Sequence, residues 1–528
     1  MSISSISDKA ALDASKPPLD RAAAAPLAGF SLPFPRGEAQ VFVIVLLLAI
    51  VSRALLIFAH HYAAIDDFLA VLGEWSDDDF FDHMISQGRP LEYVLWRLLH
   101  YAGVNFATLS STVGVLHNVV LTASALVLCR IFSLSCGTGF TLIFALIFVL
   151  HPFQTEQQTI QAFLWSADTS TALAFFGLLL STRGWGGFLF GLVAISSSLL
   201  TFQTSFQYIA TILCFAVVLN YAQNLTSPTR LSWWAVACDR RILIMSACFL
   251  CSVVVAAIAD IVTMHVAGAG LRSLLLPWSE APKRLGEFGK DLLEDNVLFS
   301  NMLKSWFAAL AAISIVILAI RGAVWASIDR LVQLLIVAAG VVGGVIAVYS
   351  LVLVTADWWP VPRTLVGFSV WCAGVAALAY VAFPRKLHPP LAVLGALAAL
   401  IFMGINAEVG VDQTRLNLRD QLLANRIVDR VERYDDFSPD IPTVVVGYTS
   451  TTMGEHIRIV QGDLNNSAFS VPWARLEILR EISGYSLPDA TSDQQEQASA
   501  YCQGHAKWPA SDSVMIVQHV AIVCLPEQ

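Results

Sequence analysis

The densest cluster of side chains suited to acid–base chemistry lies in residues 64–97, directly after the first long apolar segment. This stretch contains eight of the chain's 40 carboxylates and only two arginines. Two acidic groups stand out, the pair Asp66-Asp67 and the run Asp77-Asp78-Asp79, and Gly88-Arg89-Pro90 follows both. Carboxylates can accept a proton and cations can stabilise developing negative charge, so the pattern predicts a site for glycosyl or phosphoryl transfer. A solvated loop with an acidic helix start is the structural alternative.

Two arginines are the best candidates for binding a phosphate. A guanidinium group can bind phosphate through two parallel N–H bonds. Arg89 follows the acidic groups, and Arg363 ends the segment DWWPVPR, six residues after Asp357. The alternative for Arg89 is a helix-start ion pair with Glu92, and anchoring at the membrane interface alone explains the tryptophans beside Arg363.

Further candidates are charged residues inside or beside apolar segments, where a charge is costly and therefore often functional. Glu156 lies in HPFQTEQQTIQ and Asp168 in FLWSADTSTALAF, and we expect both to line one outward cavity as supporting acids. Arg53 and Asp260 are also candidates, although a position at the outer membrane interface is the better explanation for both.

The composition defines the broad class of protein. Of the 528 residues, 56% are hydrophobic and 13% are charged, against about 25% charged in soluble domains. The chain is therefore predicted to be a multi-pass membrane protein. A net charge of -9 without long basic runs argues against nucleic-acid binding. The common nucleotide-binding and hydrolase motifs are absent from the sequence.

About eleven segments fit the roughly 20 apolar residues that a membrane helix needs. They lie near residues 40–60, 107–132, 138–152, 163–181, 185–201, 205–222, 242–264, 304–320, 331–354, 364–383 and 391–409. Residues 1–39, rich in Ala, Pro and Ser, are expected to form a disordered cytoplasmic tail. The membrane domain is then residues 40–410, with an outer catalytic loop at 61–106.

Basic residues between the segments predict the orientation, because they accumulate on the cytoplasmic side. With a cytoplasmic N-terminus, every inner connection carries a base. These bases are Arg130, Arg183, Arg230, Arg240, Arg241, Arg321, Arg330, Arg385 and Lys386. Residues 64–97, the loop at 265–301 and the C-terminal region then lie outside.

Residues 411–528 are predicted to form a small extracytoplasmic α/β domain. A charged amphipathic helix opens it, PTVVVGY, SVMIV and VAIVCL have the character of strands, and PWARLEILREISGY that of a helix. This domain contains two of the nine cysteines, Cys502 and Cys524, which we expect to form a disulfide in an oxidising compartment. Two free thiols are the alternative.

The chain resembles the GtrII-like family of bacterial O-antigen glucosyltransferases, within the GT-C class of polytopic glycosyltransferases. The resemblance rests on Asp66-Asp67 after the first helix, Gly88 to Leu91 (GRPL), His151 to Glu156 with the later Asp168, and the C-terminal WPASDSV and IVCL. It covers most of the chain from the first helix onward. The additional run Asp77 to Asp79 and the glutamines after Glu156 depart from the family pattern.

The resemblance implies a glucosyl donor linked to polyprenyl phosphate and a lipid-linked glycan acceptor on the outer face of the bacterial inner membrane. Asp66 or Asp67 would be the catalytic base, and Arg89 or Arg363 would bind the donor phosphate. A divalent metal shared by the acids is left open.

The principal alternative is a transporter or flippase for a lipid-linked glycan, whose charges would line a path across the membrane. The charges here gather near one surface, and no internal repeat is evident, which favours an enzyme. A structural role in envelope assembly would leave the acidic loop without a function.

Overall fold

Long apolar runs make up most of the chain, and in the computed structural model they are α-helical. In lipid, a chain segment outside a closed β-barrel must form all of its backbone hydrogen bonds internally, and an α-helix does so. The structure describes residues 36–58, 77–103, 106–134, 137–161, 163–228, 230–268, 276–356, 358–448, 457–460 and 464–526. The packing reported below is that of Val41–Gln528, which form one compact unit. Most of the expected N-terminal tail lies outside the described residues.

Seventeen helices of the described chain precede the C-terminal sheet. They are α1 (Arg36–Ser52), α2 (Ala54–Phe58), α3 (Asp77–Ser86), α4 (Pro90–Tyr101), α5 (Phe106–Ile131), α6 (Thr138–Val149), α7 (Pro152–Thr159), α8 (Leu164–Ser181), α9 (Gly184–Thr201), α10 (Thr204–Thr226), α11 (Trp233–Ala237), α12 (Arg240–Ala267), α13 (Ala281–Leu293), α14 (Asn301–Gly322), α15 (Ile328–Val354), α16 (Gly367–Ala382) and α17 (His388–Glu432).

Each of the eleven predicted membrane segments overlaps at least one of these helices. Within the described residues, seven are long and apolar enough to cross a membrane on their own, namely α5, α9, α10, α12, α14, α15 and α17. The pair α6 and α7 passes the same test jointly, with a bend of 45° between the two helices. Two further apolar helices, α1 and α16, are shorter. The chain is thus a mainly helical, multi-pass membrane protein, as predicted.

Small residues allow close packing between neighbouring helices. Helix α10 packs against α15 and α16, and α8 packs against α5 and α9. Between α8 and α9, a Cβ atom added to Gly191 would lie 2.7 Å from the carbonyl oxygen of Gly177. Only glycine permits this approach, which brings two backbones together as is common between membrane helices.

The break between α6 and α7 explains why the Arg53 cation is buried. A helix end leaves carbonyl groups without intrahelical partners, and away from water they need other donors. Arg53 donates from Nη2 to the Val149 carbonyl at 2.6 Å, and Asn406 Nδ2 donates to the Leu150 carbonyl at 2.9 Å. Arg53 also donates to Thr155 Oγ1 at 2.8 Å. Arg53 is therefore a buried structural residue of the broken helix.

Helix α17 joins the membrane domain to the C-terminal domain without interruption. It has 45 residues, or about 68 Å at 1.5 Å per residue, so its apolar first half is sufficient to cross a membrane of about 30 Å. Its polar second half supports the next domain through two buried carboxylates. Asp412 accepts hydrogen bonds from the backbone of Arg458 and Ile459, and Asp420 accepts from the backbone of Ala468 at 2.7 Å.

The C-terminal domain is a small α/β unit, as the sequence predicted. Its elements are β1 (Thr443–Val446), α18 (Pro472–Ser483), α19 (Ser492–Gly504), β2 (Val514–Val517) and β3 (Val520–Cys524). The sheet order is β1-β3-β2, with β1 parallel and β2 antiparallel to the central β3. Cys502 of α19 and Cys524 of β3 form a disulfide with Cα atoms 5.4 Å apart.

Candidate functional site

The two acidic groups are described to different extents. Asp66 and Asp67 lie outside the described residues. The run Asp77 to Asp79 forms the first three residues of α3. Acidic residues are favourable at a helix N-terminus because they complement the helix dipole, which is the structural alternative considered for this run.

The GRPL segment is a tight connection between α3 and α4. The Gly88 N–H donates to the Ile85 carbonyl and the Arg89 N–H to the Met84 carbonyl, each at 2.9 Å. This pair of bonds is the Schellman motif, and Gly88 has the left-handed φ of 71° that the motif requires. Pro90 then occupies the first turn of α4, where its missing N–H has no cost.

Two polar residues from other helices lie against this turn. Gln203, at the start of α10, donates from Nε2 to the Gln87 carbonyl. A Cβ atom added to Gly88 would lie 2.9 Å from Gln203 Nε2 and 3.0 Å from Asp260 Oδ2. Asp260, a candidate from the sequence, therefore lies next to the GRPL turn although 172 positions separate it from Gly88.

Arg89 is held at the start of α4 between an acid and an aromatic ring. Its Nη1 lies 3.5 Å from Glu92 Oε2, and its guanidinium carbon lies 4.5 Å from the centre of the Phe202 ring. The pairing with Glu92 is the structural alternative considered from the sequence. The side chain of Arg89 remains 20% exposed, so its cation is accessible at the edge of this cluster.

Glu92 is a functional candidate that the sequence analysis treated only as a surface partner of Arg89. It is fully buried, and Ser166 Oγ, in the first turn of α8, donates to Glu92 Oε1 at 2.5 Å. Burial raises the pKa of the Glu92 carboxyl above its ordinary value, an effect that Arg89 and Ser166 partly oppose. Its i+3 spacing from Arg89 was visible in the sequence, whereas its burial depends on α8.

Asp168 is also buried, and its partner is a histidine that sequence reasoning missed. His117 Nδ1, on α5, lies 2.6 Å from Asp168 Oδ1, so the imidazole N–H donates to the carboxylate. Both residues are at most 3% exposed. A buried carboxylate within an apolar helix needs such a donor, which explains why the pair forms.

Glu156 and Arg363 belong to a neighbouring part of the structure. Glu156 lies on α7, all of whose residues are buried. Arg363 lies in the short 3₁₀ turn Pro362–Thr364, and this turn packs against α7. Helix α5 connects this region to Asp168, because Asn118 donates to Gln158 of α7 at 3.4 Å while the adjacent His117 contacts Asp168.

Among the predicted site residues, Arg89 and Asp168 are thus connected, and Glu156 and Arg363 lie in the adjoining part of the structure. Arg89, Glu92 and Asp168 are linked through α4 and α8, and Asp260 adjoins them at Gly88. Within the part of the chain that is described, no three His, Cys, Asp or Glu side chains group closely enough to hold a metal ion.

The sequence of this region matches a known family. The family model described as Glucosyl transferase GtrII matches residues 55–380, which is more than half of the chain. The chain belongs to this family. The resemblance to this family inferred from the sequence is confirmed. The GtrII match begins in α2 and ends in α16. It therefore includes the polar cluster formed by Arg89, Glu92, Asp168 and Asp260, and it excludes the C-terminal domain.

A solved structure is also similar to this GtrII family member. It is an oligosaccharyltransferase from Archaeoglobus fulgidus in complex with Zn and sulfate, with 14% sequence identity and a TM-score of 0.39. The alignment covers 84% of this chain and 61% of that chain, so this chain spans about three fifths of that protein's length. No curated protein sequence matches the chain.

Proposed function

We propose that this chain transfers a hexose, with glucose as the first candidate, from a polyprenyl-phosphate donor to a lipid-linked glycan such as O-antigen. The observation that carries the proposal is the GtrII match over residues 55–380, which contains both acidic groups, the GRPL turn and Arg363. The buried polar cluster next to that turn is consistent with a site for charged chemistry in an otherwise apolar domain.

The reaction breaks the bond between the sugar C1 and the phosphate oxygen and forms a bond from C1 to an acceptor oxygen. The acceptor hydroxyl proton passes to a carboxylate base, and the leaving polyprenyl phosphate retains the electron pair of the broken bond. Glycosyl transfer proceeds through an oxocarbenium-like state. We assign the base to Asp66 or Asp67, and the binding of the departing phosphate to Arg89 or Arg363.

The remaining acids have supporting roles in this proposal. Glu92 positions Arg89, and Asp168 positions His117. Glu156 adjoins the turn that carries Arg363. Asp77 to Asp79 are the alternative acidic centre.

The reaction would occur outside the cytoplasm, with the N-terminus inside. Basic residues in the inner connections support this orientation. The Cys502–Cys524 disulfide supports it independently, because disulfides persist in oxidising compartments.

Replacement of the catalytic aspartate tests the proposal. In a defined assay with a polyprenyl-phosphate glucose donor and a lipid-linked glycan acceptor, Asp66→Asn or Asp67→Asn should lower turnover about 100- to 10,000-fold, the usual contribution of a general base. The two effects should be unequal, because adjacent side chains need not point the same way. Arg363→Lys should be less severe than Arg363→Ala, since the charge is retained.

Asp82→Asn is the matched control, because Asp82 belongs to the same acidic stretch but is exposed on α3. It should retain normal turnover. If both Asp66→Asn and Asp67→Asn retain activity while replacement of Asp77, Asp78 or Asp79 abolishes it, the second group is the acidic centre. If the wild-type protein transfers no sugar but moves lipid-linked glycans across vesicle membranes, the transporter alternative replaces the enzyme.

A further inference from the structure

A polar cavity of about 180 Å³ lies between α13 and the segment that follows α15. It is outside the Arg89–Glu92 cluster. Its lining residues are Leu276, Glu280, Lys283, Arg284, Glu287, Ala356 and Trp358.

The floor of this cavity is held in place by Arg284. This side chain is buried, and its Nη2 donates to the carbonyl oxygens of Thr355 at 3.0 Å and Ala356 at 2.5 Å. Its guanidinium carbon lies 5.0 Å from the centre of the Trp358 ring. Two turns further along α13, Asp291 accepts a hydrogen bond from the Tyr349 hydroxyl at 2.6 Å. The cavity is therefore a built feature with a fixed wall.

Arg284 also presents a donor that the described part of the chain does not satisfy. Its Nη1 lies 3.2 Å from Glu287 Oε2, but the buried Nε has no hydrogen-bond partner among the described residues. A buried donor without a partner is costly, and such groups are rare in native structures. The guanidinium group of this lining residue is therefore incompletely hydrogen-bonded.

The lining residues indicate the chemistry of that ligand. Lys283 and Arg284 donate hydrogen bonds, whereas Glu280 and Glu287 accept them, so the four charges sum to zero. A phosphate would meet two carboxylates, and a lipid chain would meet polar walls. A hydroxyl group both donates and accepts, so a neutral ligand with several hydroxyls satisfies both kinds of side chain. Trp358 contributes an aromatic side chain to the lining, as is common in sites that bind organic ligands.

We propose that this cavity binds one pyranose ring of a substrate. That the ring belongs to the donor or to the acceptor glycan rests on the proposed function, whereas the binding itself does not. Trp358 lies five residues before Arg363. The loop between them is closed by a hydrogen bond from Thr364 Oγ1 to the Trp359 carbonyl at 3.1 Å. The cavity is thus one loop away from a proposed phosphate-binding residue.

Binding of methyl pyranosides to the purified full-length protein tests the proposal without requiring turnover. Saturation-transfer NMR with the methyl pyranosides of glucose, galactose and mannose should detect binding of at least one of them. The double variant Lys283→Gln with Glu287→Gln should weaken that binding about fivefold or more, as expected for the loss of one or two hydrogen bonds. Inorganic phosphate at the same concentration should not displace the sugar.

The same helix offers a matched control. Lys290 of α13 and Glu294, which directly follows this helix, form an i,i+4 pair at 3.2 Å outside the cavity lining. Lys283 and Glu287 form the corresponding pair within the lining at 3.8 Å. Lys290→Gln with Glu294→Gln should leave sugar binding unchanged. No binding of any pyranoside to the wild type, equal loss in both double variants, or displacement by phosphate would overturn the proposal.

Steady-state kinetics distinguish the two sources of the ring. A higher KM for the donor in the Lys283 and Glu287 double variant assigns the ring to the donor, and a higher KM for the acceptor assigns it to the glycan. If transfer proceeds with both values unchanged, the cavity is not a substrate subsite. If transfer is absent but the pyranoside binds through these residues, the proposed function fails while the sugar site stands.

Discussion

At the scale of single residues, three buried charges in the described part of the chain, Arg53, Asp168 and Glu92, are explained by their partners. Arg53 satisfies a helix-end carbonyl, His117 donates to Asp168, and Ser166 donates to Glu92. Such contacts are needed because an unpaired polar group away from water costs several kcal/mol. Glu92 is the most informative of these residues, since it joins Arg89 to α8 and lies outside the spanning helices.

The pH dependence of stability should reveal the burial of Glu92. Its pKa in the folded protein is raised above the ordinary value of 4.5, so the folded state binds the proton more tightly than the unfolded state. The stabilisation is fully present below pH 4.5 and is lost as the pH rises through the raised pKa. Thermal unfolding should therefore show wild type losing stability relative to Glu92→Gln as the pH increases from 4.5.

Glutamine is the appropriate replacement because it retains an oxygen that accepts from Ser166 but cannot ionise. A wild-type protein that gains stability relative to Glu92→Gln over this pH range would show that the ion pair with Arg89 outweighs burial.

At the scale of elements, the junction between α3 and α4 depends on one glycine. Gly88 is required twice, by its left-handed backbone and by the close approach of Gln203 and Asp260. Gly103, after α4, has a similar φ of 74°, but an added Cβ there would meet no atom within 4 Å. A comparison of alanine substitutions at these two glycines therefore separates the effect of backbone strain from that of steric contact.

Gly88→Ala should lower both the unfolding temperature and the transfer rate more than Gly103→Ala does. Each substitution bears the backbone cost of about 1–2 kcal/mol for a left-handed residue. Only Gly88→Ala also displaces the ends of the Gln203 and Asp260 side chains, and with them the hydrogen bond from Gln203 to the turn that carries Arg89. Thermal unfolding and turnover of the two variants provide the measurement, and equal effects would contradict a packing role for the GRPL turn.

At the scale of the whole molecule, α17 and the disulfide connect topology to function. A continuous helix carries the chain from the membrane domain into the C-terminal domain, so the side of the membrane on which that domain lies follows from the side on which α17 begins. The basic residues Arg385 and Lys386 just before α17 place its start in the cytoplasm under the proposed orientation.

A reporter that is active only in the cytoplasm should be inactive when it is fused after Gln528. The same reporter fused after Arg183, in a predicted inner connection, is the control and should be active. Cells producing each fusion at equal levels provide the comparison. An active reporter after Gln528 would reverse the orientation and remove the oxidising environment invoked for the C-terminal domain.

Features that depend on local sequence patterns could be predicted without the structure. Long apolar runs predicted the helical segments, short runs rich in Val and Ile predicted the three C-terminal strands, and short motifs predicted the GtrII family. The role of the GRPL segment was only partly visible, because its glycine and proline indicate a turn but not its neighbours. Such features are readable because periodicity and turn chemistry act over a few residues.

Which polar residues are buried together depends on how the helices pack and could not be predicted from the sequence. His117 and Asp168 are 51 positions apart, Glu92 and Ser166 are 74 apart, and Arg284 meets Thr355 across 71. No local pattern encodes these pairs, since they form only when helices pack in a particular arrangement. A buried polar group needs a hydrogen-bond partner, and the packing of the helices determines which partner lies within reach.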